Sequence, residues 1–525
     1  MATDAEDLPV ALGPGAPTSP IDLPDPSTAS AHLRSEPVPV PDAVVARLAA
    51  TGAAVSVDPG ERTEASRDWW PLAMTWAGGN EVAARAAAVV RPDAVGQVGA
   101  VLRICQEASI PVTAAGGRSG VVGGSVPLFG GVVLDLCGLA GIRAVDRDDL
   151  VVDVLAGTFG DHLEQQLRTE HSLTVGHWPQ SITLSTVGGW LACRGAGQLS
   201  NRYGKVEDLV VGLDVVLADG TVLRTGGHAR QAVGPDLTQV FVGSEGTLGV
   251  ITGARLRAWP VPAGERRAAY AFPTFEAGAH ACRRIVQRGL SPAALRLYDP
   301  VEADRSHGTG DVALLVVVDE GDPVVVEAAA AITDAECARA ERLGEELADA
   351  WLEHRNDVSA LEALISRGYV VDTMELTTSW GALDELYPAV RDAIAAVPGV
   401  IASSAHLSHS YPDGACLYFT FAGQPADTTT EAAEGLYLAC WNAGVRAALA
   451  RGGSLSHHHG VGLNRSRYVA DALGPGATAV LRSLKAALDP TGVLNPGKLG
   501  LPSPFGAVAF PPPPSPTTSD PGAAR

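Results

Sequence analysis

Two periodicities alternate along the chain. Short apolar runs such as "GVVLDL" (131–136) and "LVVDVLAG" (150–157) predict buried strands. "FGDHLEQQLRTE" (159–170) repeats instead at helical spacing, with Phe159, Leu163 and Leu167 on one face. "RPDAVGQVGAVLRICQEASIPVTAAGG" (91–117) reads as a turn, a helix and a short strand running into glycines. "LVVGLDVVLADGTVLRTGG" (209–227) predicts a hairpin turning at Asp219-Gly220, and "LGVITGARLRAWP" (248–260) a further strand. This glycine-punctuated block spans 80–262 and forms a first domain.

The rhythm then changes. "RRAAYAFP" (266–273), "PAALRLYD" (292–299), "DVALLVVVDEG" (311–321), "YVVDTMELT" (369–377), "VIASSAHLSHSY" (400–411) and "ACLYFTFAG" (415–423) predict strands. Helical stretches at 274–289, from Asp322 and at 381–397 separate many of them, which predicts a mixed sheet covered by helices on one face. This second domain spans 263–445. A helix at 428–451 leads to "GGSLSHHHGVG" (452–462), and a helix stopped by Asp489-Pro490 closes the patterned chain. Residues 446–501 form a segment returning to the first domain. A helical segment occupies 41–79, while 1–40 and the proline-rich 502–525 are expected to be disordered. The overall class is α+β.

Composition narrows the function. A formal net charge of -21 over 525 residues argues against nucleic acid or an anionic membrane surface as the main partner. No apolar run is long enough to span a bilayer, and "MATDAEDLPV" lacks the basic start and apolar core of a signal peptide. The seven cysteines form no CxxC pair and read as reduced thiols, so a cytoplasmic location is expected.

"TAAGGRSGVVGG" (113–124) has a G-x-x-G-x-x-G spacing that lets successive N–H groups converge on an anion. By itself this spacing suits a turn between strands equally well. Two further loops, "PQSITLSTVGGWLACRGAG" (179–197) and "GSEGTLGVIT" (243–252), extend the pattern. In order and spacing the three resemble the PCMH-type FAD-binding domain of the vanillyl-alcohol-oxidase family. "SHSYPDGACLYF" (408–419), "LRLYD" (295–299) and "GGSLSHHHGVG" narrow the likeness to the alkylglycerone-phosphate synthase (alkyl-dihydroxyacetonephosphate synthase) family. The resemblance implies a PCMH-type domain with an inserted α/β cap that binds substrate.

It also implies FAD as cofactor, with Thr113, Ala114, Ala115, Gly116, Gly117, Arg118 and Ser119 around the pyrophosphate. Gln180, Ser181, Ser185, Thr186, Ala192 and Arg194 would line the rest. So would Glu245, Gly246, Thr247, Gly249, Val250 and Ile251. The first loop carries Arg118-Ser119 and no His, so the flavin is expected to be non-covalent.

The implied reaction exchanges the acyl group of acyl-dihydroxyacetone phosphate for an alkyl group, through an adduct at flavin N5 and with no net redox change. It needs a proton acceptor and a site for a phosphate- or carboxylate-bearing small molecule. Tyr411 matches the family's acid–base tyrosine, with His457, His458 and His459 expected to lower its pKa. Tyr411 could otherwise be a strand-end aromatic. Arg296 matches an active-site arginine, or is a solvated strand-end charge. The position of a substrate arginine reads Leu361, with Arg355 and Arg367 the candidates to replace it.

Relatives that oxidise 2-hydroxy acids, some with a bound divalent metal, offer the alternative: an FAD-linked oxidoreductase of a 2-hydroxy acid or related alcohol. Three extended histidines point alternately, so His457 and His459 would share a face. His406, His409, His457 and His459 could then converge on zinc, but no metal is expected, because the matching carboxylate position reads His458. A homodimer is compatible with the resemblance.

Overall fold

In the computed structural model, which describes residues 19–508 and 510, strands Ala88–Arg91, Val132–Asp135 and Val112–Ala115 pair in parallel. Ala54–Ser56 joins them antiparallel at one edge. Parallel strands of this kind are covered on both faces and so read as continuous apolar runs. Helix Val95–Glu107 makes the crossover and buries Val98, Val101, Leu102 and Cys105. A second sheet is antiparallel throughout, in the order Val222–Arg224, Val210–Val216, Val250–Arg257, Val151–Leu155, Ile142–Asp146. Its hairpin turns at Asp219-Gly220, with Gly220 at φ 80° and Asp219 Oδ1 accepting from Thr221 N–H at 2.8 Å. The helix patterned over 159–170 is shorter than its spacing suggests. It spans Gly160–Gln166 and widens into a π turn at Leu167–His171, closed by Ser172 in the left-handed region.

The next sheet has seven strands, ordered Glu341–Leu343, Gly264–Phe272, Ala313–Gly321, Ala294–Tyr298, Val400–Ser410, Gly414–Gly423, Val370–Ser379. Every pairing in it is antiparallel, so the mixed sheet does not form. Helix Phe275–Gln287 does return the chain from Gly264–Phe272 to the parallel strand Ala294–Tyr298, but Ala313–Gly321 then inserts between the two, antiparallel to both. Beyond helix Thr430–Leu449 the chain crosses back to the first sheets. Leu463 and Asn464 N–H donate to Val122 O, and Val112 N–H donates to Val493 O. No described helix is long and apolar enough to cross a membrane.

Residues 19–40, expected to be disordered, are packed. Ser30–Ala31 pairs with Glu81–Val82, and Leu23 and Ala29 bury against Ala77 and Val82. The segment has too few apolar residues to fold alone and is ordered on a surface supplied by its neighbours. His32 stacks on Trp76, ring centroids 4.1 Å apart, and faces Glu81 and Glu434. Within 502–525, Phe505 and Phe510 lodge against Phe129 and Trp70. The expected disorder of 1–18 and 511–525 lies outside the described residues.

Candidate functional site

Period-two alternation divides the seven-stranded sheet into two faces. Met374, Leu376, Ala405, Leu407, Leu417 and Phe419 pack into one apolar cluster with the helices Trp380–Ala395 and Thr430–Leu449. Glu375, Cys416 and Tyr418 alternate with them and take the opposite face, with His406 paired to Tyr418. One extra residue keeps His409 there too. Leu407 pairs with Leu417 and His409 with Cys416, leaving Ser408 as a β-bulge that offsets the alternation. At the hairpin tip, Tyr411-Pro412-Asp413-Gly414 closes with Tyr411 N–H donating to Gly414 O at 2.8 Å. Proline second and glycine fourth suit this turn. The first domain holds the hairpin: Ser410 N–H donates to Asn201 Oδ1 at 3.0 Å, and His409 Nδ1 lies 2.7 Å from Ser200 Oγ.

Glu375 organises the histidine segment. Its buried carboxylate accepts from the N–H groups of His457, His458 and His459 at 3.3, 3.2 and 2.9 Å and from Ser456 Oγ at 2.6 Å. It also pairs with the Arg465 guanidinium, Nη1 at 2.8 Å. Against the opposing pull of burial, Arg465 and the His459 ring hold the carboxyl well below the usual carboxylate range. Three successive N–H groups aimed at one anion require a bent backbone, so the extended alternation expected of the histidines fails. His457 and His458 bring their Nδ1 atoms to 2.7 Å, while His459 Nδ1 turns to Glu375 Oε2 at 3.1 Å.

Tyr411 Oη lies 2.6 Å from His457 Nε2, so the phenol, His457 and His458 form one hydrogen-bonded line. Burial pushes Tyr411 far above its ordinary value; it pushes His457 down to about 3 and holds His409 and His458 well below theirs. These histidines are therefore neutral at pH 7 and cannot lower the tyrosine, because burial disfavours charge on every member. Lys205, a nearby cation, donates to the His457 carbonyl at 2.7 Å and pairs with Glu207 at 3.0 Å. The line can pass a proton from one end to the other by shifting tautomers.

Ring nitrogens of His409, His457 and His458 lie within 4.8 Å of one another. The zinc set drawn from the sequence is not assembled, since His459 faces Glu375 and His406 Nδ1 faces Glu302 at 2.9 Å. Arg296 Nη2 lies 2.7 Å from His406 Nε2, and its guanidinium covers the Trp351 ring at 5.5 Å. It lies on the face that carries the histidines, half-buried, and is not a solvated strand end.

The glycine loops meet beside these groups. Thr113, Ala114 and Ala115 end a buried strand. A Cβ on Gly116 would overlap Thr186 Oγ1, and one on Gly117 the Leu184 carbonyl, so only glycine lets the two loops touch. Arg118 has φ 53° and turns its side chain to Asp135 at 3.3 Å. Ser185 Oγ accepts from Trp190 Nε1 at 2.7 Å and donates to Ser181 O at 2.8 Å, while Thr186 caps helix Val187–Cys193. Gln180 Nε2 donates to Asp357 O at 2.8 Å, across to the second domain.

Ala192 O accepts from Glu245 N–H at 2.9 Å. Arg194 points outward to Glu207 and Gln239. The Glu245 carboxylate accepts from Val461 and Gly462 N–H at 2.5 and 2.8 Å, tying the third loop to the histidine segment. Gly246 lies against Ala114, Thr247 Oγ1 donates to Ser244 O, and Gly249 leads into the strand that holds Val250 and Ile251.

Among the described residues, the N–H groups of Gly117 and Ser119 donate to no protein acceptor. Buried His177 has no partner for either ring nitrogen. Free backbone donors, close loop approach and unsatisfied polar atoms together fit a dinucleotide.

Residues 86–226 match the FAD binding domain family, and 261–499 match the C-terminal domain of FAD linked oxidases. Over 451 residues the chain is 30% identical to the alkyldihydroxyacetonephosphate synthase of Dictyostelium discoideum, covering 78% of this chain and 72% of that one. It is 31% identical over 431 residues to an uncharacterized FAD-linked oxidoreductase of Escherichia coli, covering 79% and 88%. A solved structure of alkyldihydroxyacetonephosphate synthase superposes with TM-score 0.74 at 25% identity, covering 89% and 88%. The chain belongs to the FAD-linked oxidase family and is an FAD-dependent enzyme. Within that family it is an alkyldihydroxyacetonephosphate-synthase-like member.

Glu375, Arg465, Ser200 and Lys205 were not among the site residues expected from the sequence. One signal could have flagged Glu375: with Asp372 it is one of two acids inside the strand "YVVDTMELT", where an acid has to be paired to be buried.

Proposed function

We propose that the enzyme exchanges the acyl group of an acyl-dihydroxyacetone-phosphate-type substrate for an alkyl group, with no net redox change. The observation that carries this reading is the neutral line Tyr411–His457–His458. Acyl–alkyl exchange takes a proton from the reacting carbon and later returns one, and a tautomer-shifting line suits a proton carried both ways. FAD, when bound, supplies an electron-pair acceptor beside that carbon. Tyr411 takes the proton as it gives its own to His457, His457 passes one on to His458, and His458 holds it until the return step, while Glu375 fixes the ring positions through the backbone. Lys205 steadies the His457 carbonyl. Non-covalent flavin is part of this reading, and acid precipitation is expected to release it.

The test supplies acyl-dihydroxyacetone phosphate and a long-chain alcohol to the yellow holoenzyme and measures the ether by mass spectrometry. Ether formation is expected. Tyr411→Phe and His458→Ala are expected to lose about 10²- to 10⁴-fold in turnover while keeping their flavin. The second reading, oxidation of a 2-hydroxy acid or related alcohol, is favoured by a similarity of 28% identity over 426 residues to a glycolate oxidase subunit of Bacillus subtilis. Anaerobic bleaching of the flavin by such an alcohol, with no ether formed, would establish it in place of the first.

A further inference from the structure

The stretch after helix Glu346–His354 lies across the cofactor loops. Gln198 Nε2 donates to the Arg355 carbonyl and Gln180 Nε2 to the Asp357 carbonyl, each at 2.8 Å. Leu361 packs against the cluster of Trp69, Met74 and Ile365, which Val121 and Leu184 of the first domain also cover. Clipped in this way, Arg355 holds its guanidinium 5.0 Å from the Trp178 ring centroid and 5.8 Å from that of Trp351. Arg296 covers the same Trp351 ring at 5.5 Å.

Arg355 is half-buried and differs from the buried arginines of the chain. Arg465 pairs with Glu375 and Arg67 with Glu64, but no described carboxylate forms an ion pair with Arg355, and its side chain donates no hydrogen bond among the described residues. Glu320, which acts on it through space, is already bound by Tyr203 Oη. Burial pushes the guanidinium down to about 10 against the pull of Glu320 and Glu265, so it stays charged at neutral pH without a direct carboxylate partner. Indole faces hold a guanidinium flat and leave its N–H edge for an acceptor with several oxygens. A carboxylate could be satisfied by one such fork, whereas a phosphate dianion has oxygens for two. Arg367, the other candidate near Leu361, is exposed.

We propose that Arg355, with Arg296 on the shared Trp351 ring, binds the phosphate monoester of the substrate. This rests on the functional reading above and names its specificity residue. The probes are dihydroxyacetone phosphate and inorganic phosphate, titrated into FAD holoenzyme by calorimetry. Arg355→Gln is expected to weaken both by about 10- to 100-fold, the loss of one or two charge-assisted bonds. Arg355→Lys, which keeps charge but not the fork, should fall between, and it stands in if Arg355→Gln fails to hold flavin.

Unchanged phosphate affinity in the flavin-replete variants overturns the proposal, as does a wild type that binds neither probe. It is also overturned if Arg355 governs glycolate or lactate binding and not phosphate. Arg355-dependent phosphate binding without ether formation keeps this site and refutes the reaction. Ether formation with Arg355-independent binding does the reverse.

Discussion

The loop at 113–124 and the loop at 452–462 are both rich in glycine, yet their backbone N–H groups are used differently. In the first loop, N–H groups of Gly117 and Ser119 donate to no protein acceptor among the described residues. In the second, three N–H groups close on Glu375, a ligand built into the protein. An open nest gives affinity for an anionic cofactor. A filled nest gives geometry, because an internal carboxylate that never leaves can fix three imidazoles in different directions.

Removing the internal anion should break this contrast most severely. Glu375→Ala would leave Arg465 buried and unpaired and release the histidine backbone, at a cost of about 3–5 kcal/mol. Denaturant unfolding of the holoenzyme checks this, and a loss under 1 kcal/mol would mean that the nest is incidental. Gly117→Ala attacks the open nest instead. The added Cβ forces the first two loops apart, for about 1–3 kcal/mol and a flavin-to-protein ratio well below that of the parent, with far-UV circular dichroism retained. Normal flavin content in that variant would remove the loop from the cofactor site.

The gentlest probe is acid. His457 and His177 are both lowered to about 3 in the folded chain, below the ordinary value of about 6.5. Between those values the unfolded chain binds more protons, so each contributes stability that is full above about pH 6.5 and is lost as pH falls toward 3. The slope is at most about 1.4 kcal/mol per pH unit for each group. Thermal melts of His177→Gln from pH 7 to 4 should show a shallower decline than the parent, and an equal decline would mean that His177 titrates normally.

The glycine loops, the Asp219-Gly220 hairpin and the Tyr411 turn were legible because each depends on residues close together in the chain. The histidines were legible as a cluster, but their directions were not. Those follow from Glu375, some eighty positions earlier, and no local period encodes a contact of that span. The charge on Tyr411 was misjudged for a related reason: histidine suggests a cation in sequence, whereas burial in the assembled face makes it neutral. The antiparallel sheet likewise escaped a pattern-based reading, because the insertion of Ala313–Gly321 between two strands is decided by pairing and not by periodicity.

The bulge at Ser408 carries a last consequence, for how such a site can arise. In an unbroken ladder His409 would sit opposite Ala415 and point into the helices, where an imidazole has no place. A single inserted codon reverses the parity of everything from there to the hairpin tip and delivers a histidine to the cofactor side in one genetic step. Point substitution would have to empty one face and furnish the other separately. Ancestry of this kind would be sought among length differences between related hairpins, and not among their residue identities.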